Sequence, residues 1–228
     1  MIRWPMCEGC RVGSSHPRLI AAAREALAPL LDSDRRRIIV GIAGPPAAGK
    51  STLSTSLANA LCAEFGADAA VAVPMDGFHL ANAELARLGL ADRKGAPETF
   101  DAAGFVHLLR RLREPEPGIV YAPAFNRSLN ESIGSAIPVP GHVRTIVAEG
   151  NYLLVPKPPW APVRDLLDLA LYVEAPDGVR VDALLRRQRA RGLSKVDARD
   201  WVFRSDEANA ALIADTRPYA DHVLVRPS

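Results

Sequence analysis

Cysteine is scarce. The 228-residue chain holds three, with Cys7 and Cys10 forming a C-x-x-C and Cys62 standing alone. A zinc site needs two further ligands, and neither a second C-x-x-C nor an H-x3-5-H pair is present. A redox C-x-x-C belongs within a βαβ pattern. This one lies in a ragged leader, and no function is expected of it. Charge of one sign is also lacking. The 28 basic residues face 26 acidic ones, a net charge of +2, which leaves no strong electrostatic case for a nucleic-acid or membrane partner. No run of about 18 uncharged apolar residues occurs, so no transmembrane helix is expected. The first seventeen residues, MIRWPMCEGCRVGSSHP, lack the apolar core of a signal peptide. A soluble, cytoplasmic protein is the expectation.

What is present is an ordinary share of apolar residues, 48%. That suits one sizeable domain, or a domain with a small appendage. Apolar spacing predicts a helix over 16–31, with Pro17 near its start. Short β-branched or apolar runs at 38–43, 69–73, 143–148 and 169–173 read as buried strands, with a terminal strand at 222–225. Helices are expected over 51–65, 81–88, 101–113, 177–191 and 195–214, the last two separated by Gly192. The stretch 92–99 reads as loop, and the proline-containing stretch 118–140 as a hairpin-like excursion. Buried strands alternating with helices predict an α/β fold, a parallel sheet covered on both faces.

The most informative segment is Gly44-Pro45-Pro46-Ala47-Ala48-Gly49-Lys50-Ser51, which matches G-x-x-x-x-G-K-[ST] between a strand and a helix. In that setting consecutive backbone N–H groups and a helix N-terminus converge on phosphate oxygens. Glycine at 44 and 49 permits unusual dihedrals and close approach. Lys50 can neutralise the β/γ-phosphates, Ser51 can ligate Mg²⁺, and Thr52 can bond the α-phosphate. The loop therefore predicts a bound ATP and Mg²⁺. A GTPase would carry N-K-x-D, which is absent. Asp101-Ala-Ala-Gly104 fits D-x-x-G but opens a helix. An L-S-G-G signature is missing, and nothing points to a motor.

Two carboxylates sit at strand ends, where open α/β sheets bind ligands. Asp76, after the second strand, can take a proton from a hydroxyl attacking phosphorus. His79, three residues on, can contact the acceptor. Glu149, at the end of the third strand, is placed to hold Mg²⁺ through water. Taken singly, Asp76 reads equally well as a turn or cap residue and His79 as a structural one.

The ordered set GPPAAGKST, PMDGFHL, RKGAPETFD, EGNYLL and Asp206-Glu-Ala-Asn209 resembles the P-loop small-molecule kinases grouped around uridine kinase, phosphoribulokinase and bacterial pantothenate kinase. Within that group it is similar to a bacterial branch labelled nucleoside/nucleotide kinase-like or fructose-transport-system kinase-like. The likeness spans roughly 38–225. It implies a P-loop NTPase three-layer fold, with a five-stranded parallel core and a flexible helical lid, and Asp76 as catalytic base. It places Arg93, Lys94, Glu98, Tyr121, Asn126 and Arg127 on the acceptor side, with an aspartate expected where Asn126 stands. It puts the lid around 186–200. There Arg186 and Arg189, i, i+3 neighbours, can aim at one phosphate group; spacing alone fits a solvated basic face equally well. Gly192 and Ser194 would form a hinge, and Arg217 would border the adenine.

The chain thus divides into a leader with a helix packing on the core (1–37) and a kinase domain (38–228). The expected activity is transfer of the ATP γ-phosphate to a hydroxyl of a small metabolite, most simply a sugar, polyol or nucleoside, with pantothenate third. Few aromatics in the acceptor loop favour the sugar-like choice. The rivals are a nucleotide-binding regulator with no use for Asp76 or a basic lid, and a plain NTP hydrolase that needs no acceptor. Either a monomer or a homodimer is compatible with the sequence.

Overall fold

The computed structural model describes residues 16–114 and 117–227; Cys7 and Cys10 lie outside them. The elements run α1 (Pro17–Leu31), β1 (Ile38–Ala43), α2 (Lys50–Phe65), β2 (Ala70–Pro74), α3 (Asn82–Leu88), α4 (Ala102–Arg113), β3 (Ile119–Asn126), β4 (Glu131–Pro140), β5 (Thr145–Glu149), α5 (Pro162–Asp165), β6 (Leu169–Glu174), α6 (Asp177–Ala190), α7 (Lys195–Trp201), α8 (Glu207–Ala214) and β7 (His222–Val225). The main sheet has five strands in the order β2-β5-β1-β6-β7, and every pairing within it is parallel.

Strand β1 shows why the sheet is covered on both faces. All six of its residues are buried, and successive side chains point to opposite sides. Ile38, Val40 and Ile42 enter one apolar cluster with Leu19 and Leu27 of α1 and Leu53, Leu57 and Leu61 of α2. Ile39 and Ala43 enter another with Phe105, Leu109 and Leu112 of α4 and with Tyr152 and Trp160. Gly41 has no room for a side chain: a Cβ there would lie 2.3 Å from Leu167 Cδ1. Asp101 caps α4 by accepting from the Gly104 amide at 2.8 Å, so the D-x-x-G match is a helix cap.

The hairpin β3-β4 is antiparallel and separate from the main sheet. Its base is fixed by Arg37, which is buried and donates to the carbonyls of Leu112, Pro140, Gly141 and Val143 at 2.8–3.0 Å. Near its middle the backbone passes over the turn after β2, where a Cβ on Gly77 would lie 2.3 Å from the Pro123 carbonyl oxygen. That contact holds the hairpin beside Asp76 and His79.

One expected element differs. The continuous helix over 195–214 is broken into α7, a π-helical turn at Val202–Asp206, and α8. A π turn adds a residue per turn and re-aims the side chains that follow it.

Candidate active site

Strand β1 ends at the centre of the sheet, with β5 and β6 as its neighbours. The loop that follows bends through Gly44 at φ 144°, Ala47 at φ 63° and Gly49 at φ 105°. These are left-handed conformations that favour glycine. Gly44 also packs so tightly that a Cβ would lie 2.4 Å from the Val173 carbonyl oxygen. Most of the loop, including Pro45 and Ala48, is buried, with Ala47 and Gly49 partly exposed, and α2 begins directly at Lys50. Ser51 and Thr52 occupy its first turn, at the positive end of the helix dipole.

Lys50 is buried and donates from Nζ to the Pro45 carbonyl at 2.9 Å. Burial pushes its ammonium down to about 8, against the opposing pull of Glu149 and Asp76. Glu149 is likewise buried and accepts from Ser51 Oγ at 2.9 Å. Burial, then the nearby Asp76 carboxylate, pushes its carboxyl up to about 7, with Lys50 and Ser51 acting the other way. A desolvated carboxylate beside a second carboxylate is short of positive charge. A hydroxyl and a carboxylate on a nucleotide-binding loop suit a hard cation that takes its remaining oxygens from phosphate and water.

Asp76 lies two residues beyond β2, in a 3-10 turn. Strand β5 lies between β2 and β1, so one strand separates the strand that leads to Asp76 from the strand that leads into the phosphate loop. Asp76 is nonetheless close enough to act on both Lys50 and Glu149. His79 takes up the Asp76 backbone carbonyl with Nδ1 at 2.8 Å and packs between Phe100 and Phe125, with ring centroids 4.0 and 4.7 Å away. Burial holds its imidazole below the usual histidine range, with Asp76 opposing and Lys94 and Arg127 reinforcing. Arg127 also acts on Glu149 and on Arg187, which puts it within the site. Asn126 is a turn residue: its Oδ1 accepts from the amides of Ser128 and Leu129, both at 3.0 Å. An aspartate would make the same bonds, so the departure from the expected residue leaves the turn intact. Arg93 and Glu98 pair with each other at 2.6 Å, and Tyr121 is exposed on β3.

The arginine that reaches the phosphate side from α6 is one the sequence reading passed over. Arg187 acts on Lys50. Its guanidinium is pushed down by burial and by Arg127, with Asp76 and Asp206 opposing. Arg186, Arg187 and Arg189 are all exposed side chains; what sets Arg187 apart is the set of charges around its head group. Arg180 is the second addition. It is buried, donates to Glu207 at 3.1 Å and to Asp177 at 2.6 Å, and its Nη1 lies 3.5 Å from the Pro46 carbonyl. A third is Arg226, whose Nη1 lies 3.7 Å from where a Cβ on Gly49 would be. Arg217, expected near the adenine, pairs with Glu174 at 3.2 Å.

The π turn explains the late Asp206-Glu-Ala-Asn209 segment. Asp206 accepts from Gln188 Nε2 at 3.4 Å, one residue from Arg187. Glu207 holds Arg180 behind the phosphate loop. Asn209 donates to the Gly95 carbonyl at 3.3 Å, which also accepts from Tyr152 at 2.5 Å. Three residues within a four-residue stretch thus tie α6, the phosphate loop and the 93–99 loop together. The motif was visible in the sequence; its three separate partners were not.

The model of the phosphoribulokinase/uridine kinase family matches residues 39–228. The chain belongs to that family. Family membership makes it a P-loop kinase of small molecules, a phosphotransferase with an alcohol group as acceptor that uses ATP. A Schizosaccharomyces pombe protein provisionally assigned as a uridine kinase is 32% identical over 92% of this chain and 90% of its own length. Escherichia coli YggC is 32% identical over 77% of this chain and 72% of its own. Pantothenate kinases from Mycobacterium are 36% identical, and about half of their length is covered. Among solved structures, a provisionally assigned fructose transport system kinase from Silicibacter sp. TM1040 superposes with a TM-score of 0.82, at 38% identity over 90% of this chain and 98% of its own. Phosphoribulokinase from Rhodobacter spheroides shares the fold at 16% identity, with a TM-score of 0.61 over 84% of this chain and 71% of its own. Among the described residues no helix of this family member is long and apolar enough to cross a membrane.

Proposed function

We propose that the protein is an ATP- and Mg²⁺-dependent kinase in which Asp76 is the base for a hydroxyl of a small metabolite, a sugar, polyol or nucleoside in the first instance. The observation that carries the reading is the convergence of Glu149, Asp76 and Arg187 on Lys50, with Asp76 also acting on Glu149 and on Arg187. A regulator that only bound nucleotide would have no use for Asp76 or Arg187 there. ATP supplies the phosphoryl group, and Mg²⁺ bound with it neutralises phosphate charge. The backbone of residues 44–49, with Lys50 and Thr52, holds the triphosphate, and Ser51 and Glu149 hold the cation.

Asp76 accepts the hydroxyl proton at its carboxylate, and His79 orients the acceptor through the ring nitrogen that does not meet the Asp76 carbonyl. Arg127 faces the acceptor. Arg187 offers a planar fork to the oxygens on which transition-state charge builds up. Residues 186–200 serve as the lid. Its closure excludes water, which would otherwise take the phosphoryl group. The test is ATP consumption against a panel of sugars, polyols, nucleosides and pantothenate. Turnover of ATP at one unchanging rate with every acceptor would replace this reading with a simple hydrolase.

A further inference from the structure

We propose that Tyr152 and Asn209 are positioning residues that couple the two substrate sites. By meeting at the Gly95 carbonyl they make nucleotide binding order the 93–99 loop and, through it, the segment that carries Asp76. This rests on the kinase reading above and deepens it. The Gly95 carbonyl accepts from the Tyr152 hydroxyl at 2.5 Å and from Asn209 Nδ2 at 3.3 Å. Tyr152 is fully buried and Asn209 is only 8% exposed. Two donors use both lone pairs of a carbonyl oxygen, so this one atom is held from two sides.

Both donors come from elements that carry nucleotide-side groups. Tyr152 follows Glu149 by three residues, and Glu149 is bonded to Ser51 at the start of α2. Asn209 stands two residues after Glu207, which accepts from Arg180 at 3.1 Å. Arg180 in turn reaches the Pro46 carbonyl of the phosphate loop at 3.5 Å.

On its other side Gly95 is tied to the Asp76 segment. Its amide donates to Thr99 Oγ1 at 2.9 Å, and that hydroxyl donates to the Ala96 carbonyl at 2.8 Å. Thr99 is fully buried, so a displacement of Gly95 reaches Thr99 with little slack. The Leu80 amide donates to the Thr99 carbonyl at 2.9 Å, and the Asp101 amide to the Phe78 carbonyl at 2.8 Å. Those two bonds flank His79, which forms an isolated bridge with Phe100 and holds the Asp76 carbonyl through Nδ1.

A triphosphate in the phosphate loop fixes the backbone that Arg180 reaches. Glu149, once engaged with the nucleotide's cation, fixes the start of the turn that bears Tyr152. Both donors to Gly95 are then immobilised together. A loop already ordered by one ligand costs the next ligand less conformational entropy. Nucleotide therefore tightens acceptor binding, and by linkage the acceptor tightens nucleotide binding by the same factor.

Hydrogen exchange on the full chain tests this without turnover, comparing the free protein with one saturated by a non-hydrolysable ATP analogue and Mg²⁺. The analogue should slow exchange across 44–52, where it binds, and by about tenfold across 95–101. Tyr152→Phe removes one hydroxyl and keeps the ring against Phe100 and Trp160. Asn209→Asp keeps the shape and replaces the donor with an acceptor. Each variant should retain the slowing at 44–52 and lose most of that at 95–101, judged against its own free protein. A merely destabilising substitution would instead speed exchange in β1 and leave the slowing at 95–101 in place. That result in both variants, or no slowing at 95–101 in the parent protein, would overturn the proposal and leave the kinase reading standing. Absence of slowing at 44–52 in the parent would retire the phosphate-loop assignment, and with it both the kinase reading and this proposal.

Discussion

Arg187→Ala separates the arrangement in the structure from the one residue spacing favoured. Arg186, Arg187 and Arg189 are all exposed, but the Arg187 head group acts on Lys50 and lies among Asp76, Arg127 and Asp206, whereas Arg186 and Arg189 are not among the groups that act on Lys50, Glu149 or Asp206. A donor aimed at developing transition-state charge in such a site is worth about 2.7–4 kcal/mol. At about 1.36 kcal/mol per tenfold, kcat should fall by about 10²- to 10³-fold. Arg187→Lys keeps a charge but not the planar fork, so it should recover only part of the loss. Arg186→Ala and Arg189→Ala leave the fork in place and should change kcat by no more than about threefold. Folding should be little affected by Arg187→Ala, because Asp206 keeps its bond to Gln188. The assay is steady-state kinetics with the acceptor the panel identifies, each variant checked by thermal unfolding. An Arg189→Ala enzyme crippled beside an active Arg187→Ala enzyme would refute the reasoning and restore the original pair.

Lys50→Ala removes a charge-assisted bond to the β/γ-phosphates, worth about 1.5–3 kcal/mol. Calorimetric titration should show Mg-ATP affinity about 10- to 100-fold weaker, and an unchanged affinity would disqualify the phosphate loop. Asp76→Asn keeps the shape but cannot accept the proton as a carboxylate does, so kcat should fall about 10²- to 10⁴-fold with little change in ATP affinity. Near-normal turnover would move the base to His79, Glu98 or Glu149. His79 is held below its ordinary value by burial, so the unfolded chain binds the proton more readily. Stability should therefore decline as pH falls below about 6.5, by at most about 1.4 kcal/mol per pH unit, and level off below the folded value. Urea unfolding between about pH 5 and 7.5 reads this slope, and a His79→Asn protein with the same slope would assign it elsewhere.

Much of this molecule was legible one segment at a time. The strand runs, the hairpin and the cap at Asp101 are set by local apolar periodicity and turn chemistry. The phosphate loop is set by the need for left-handed backbone and a lysine at fixed spacing, which a linear motif records. Strand ends alone drew attention to Asp76 and Glu149. What the chain could not state is which side chains face one another across elements. Helical spacing offered Arg186 and Arg189 as an i, i+3 pair, and only the placing of α6 beside α7 and the π turn set the Arg187 head group among the charges of the site. The π turn that points Asp206, Glu207 and Asn209 at three different partners has no local sequence signal, because its register is decided by the contacts it makes. Asn126 looked like a substrate residue missing its charge until the hairpin showed its oxygen closing a turn. Lys94 of the 93–99 loop and Arg191 at the end of α6 both donate to Asn130 at the hairpin tip. They meet because the hairpin, anchored by Arg37 at its base and by Gly77 near its middle, delivers its tip to the end of α6, and long-range juxtaposition of that kind exists only in the folded chain.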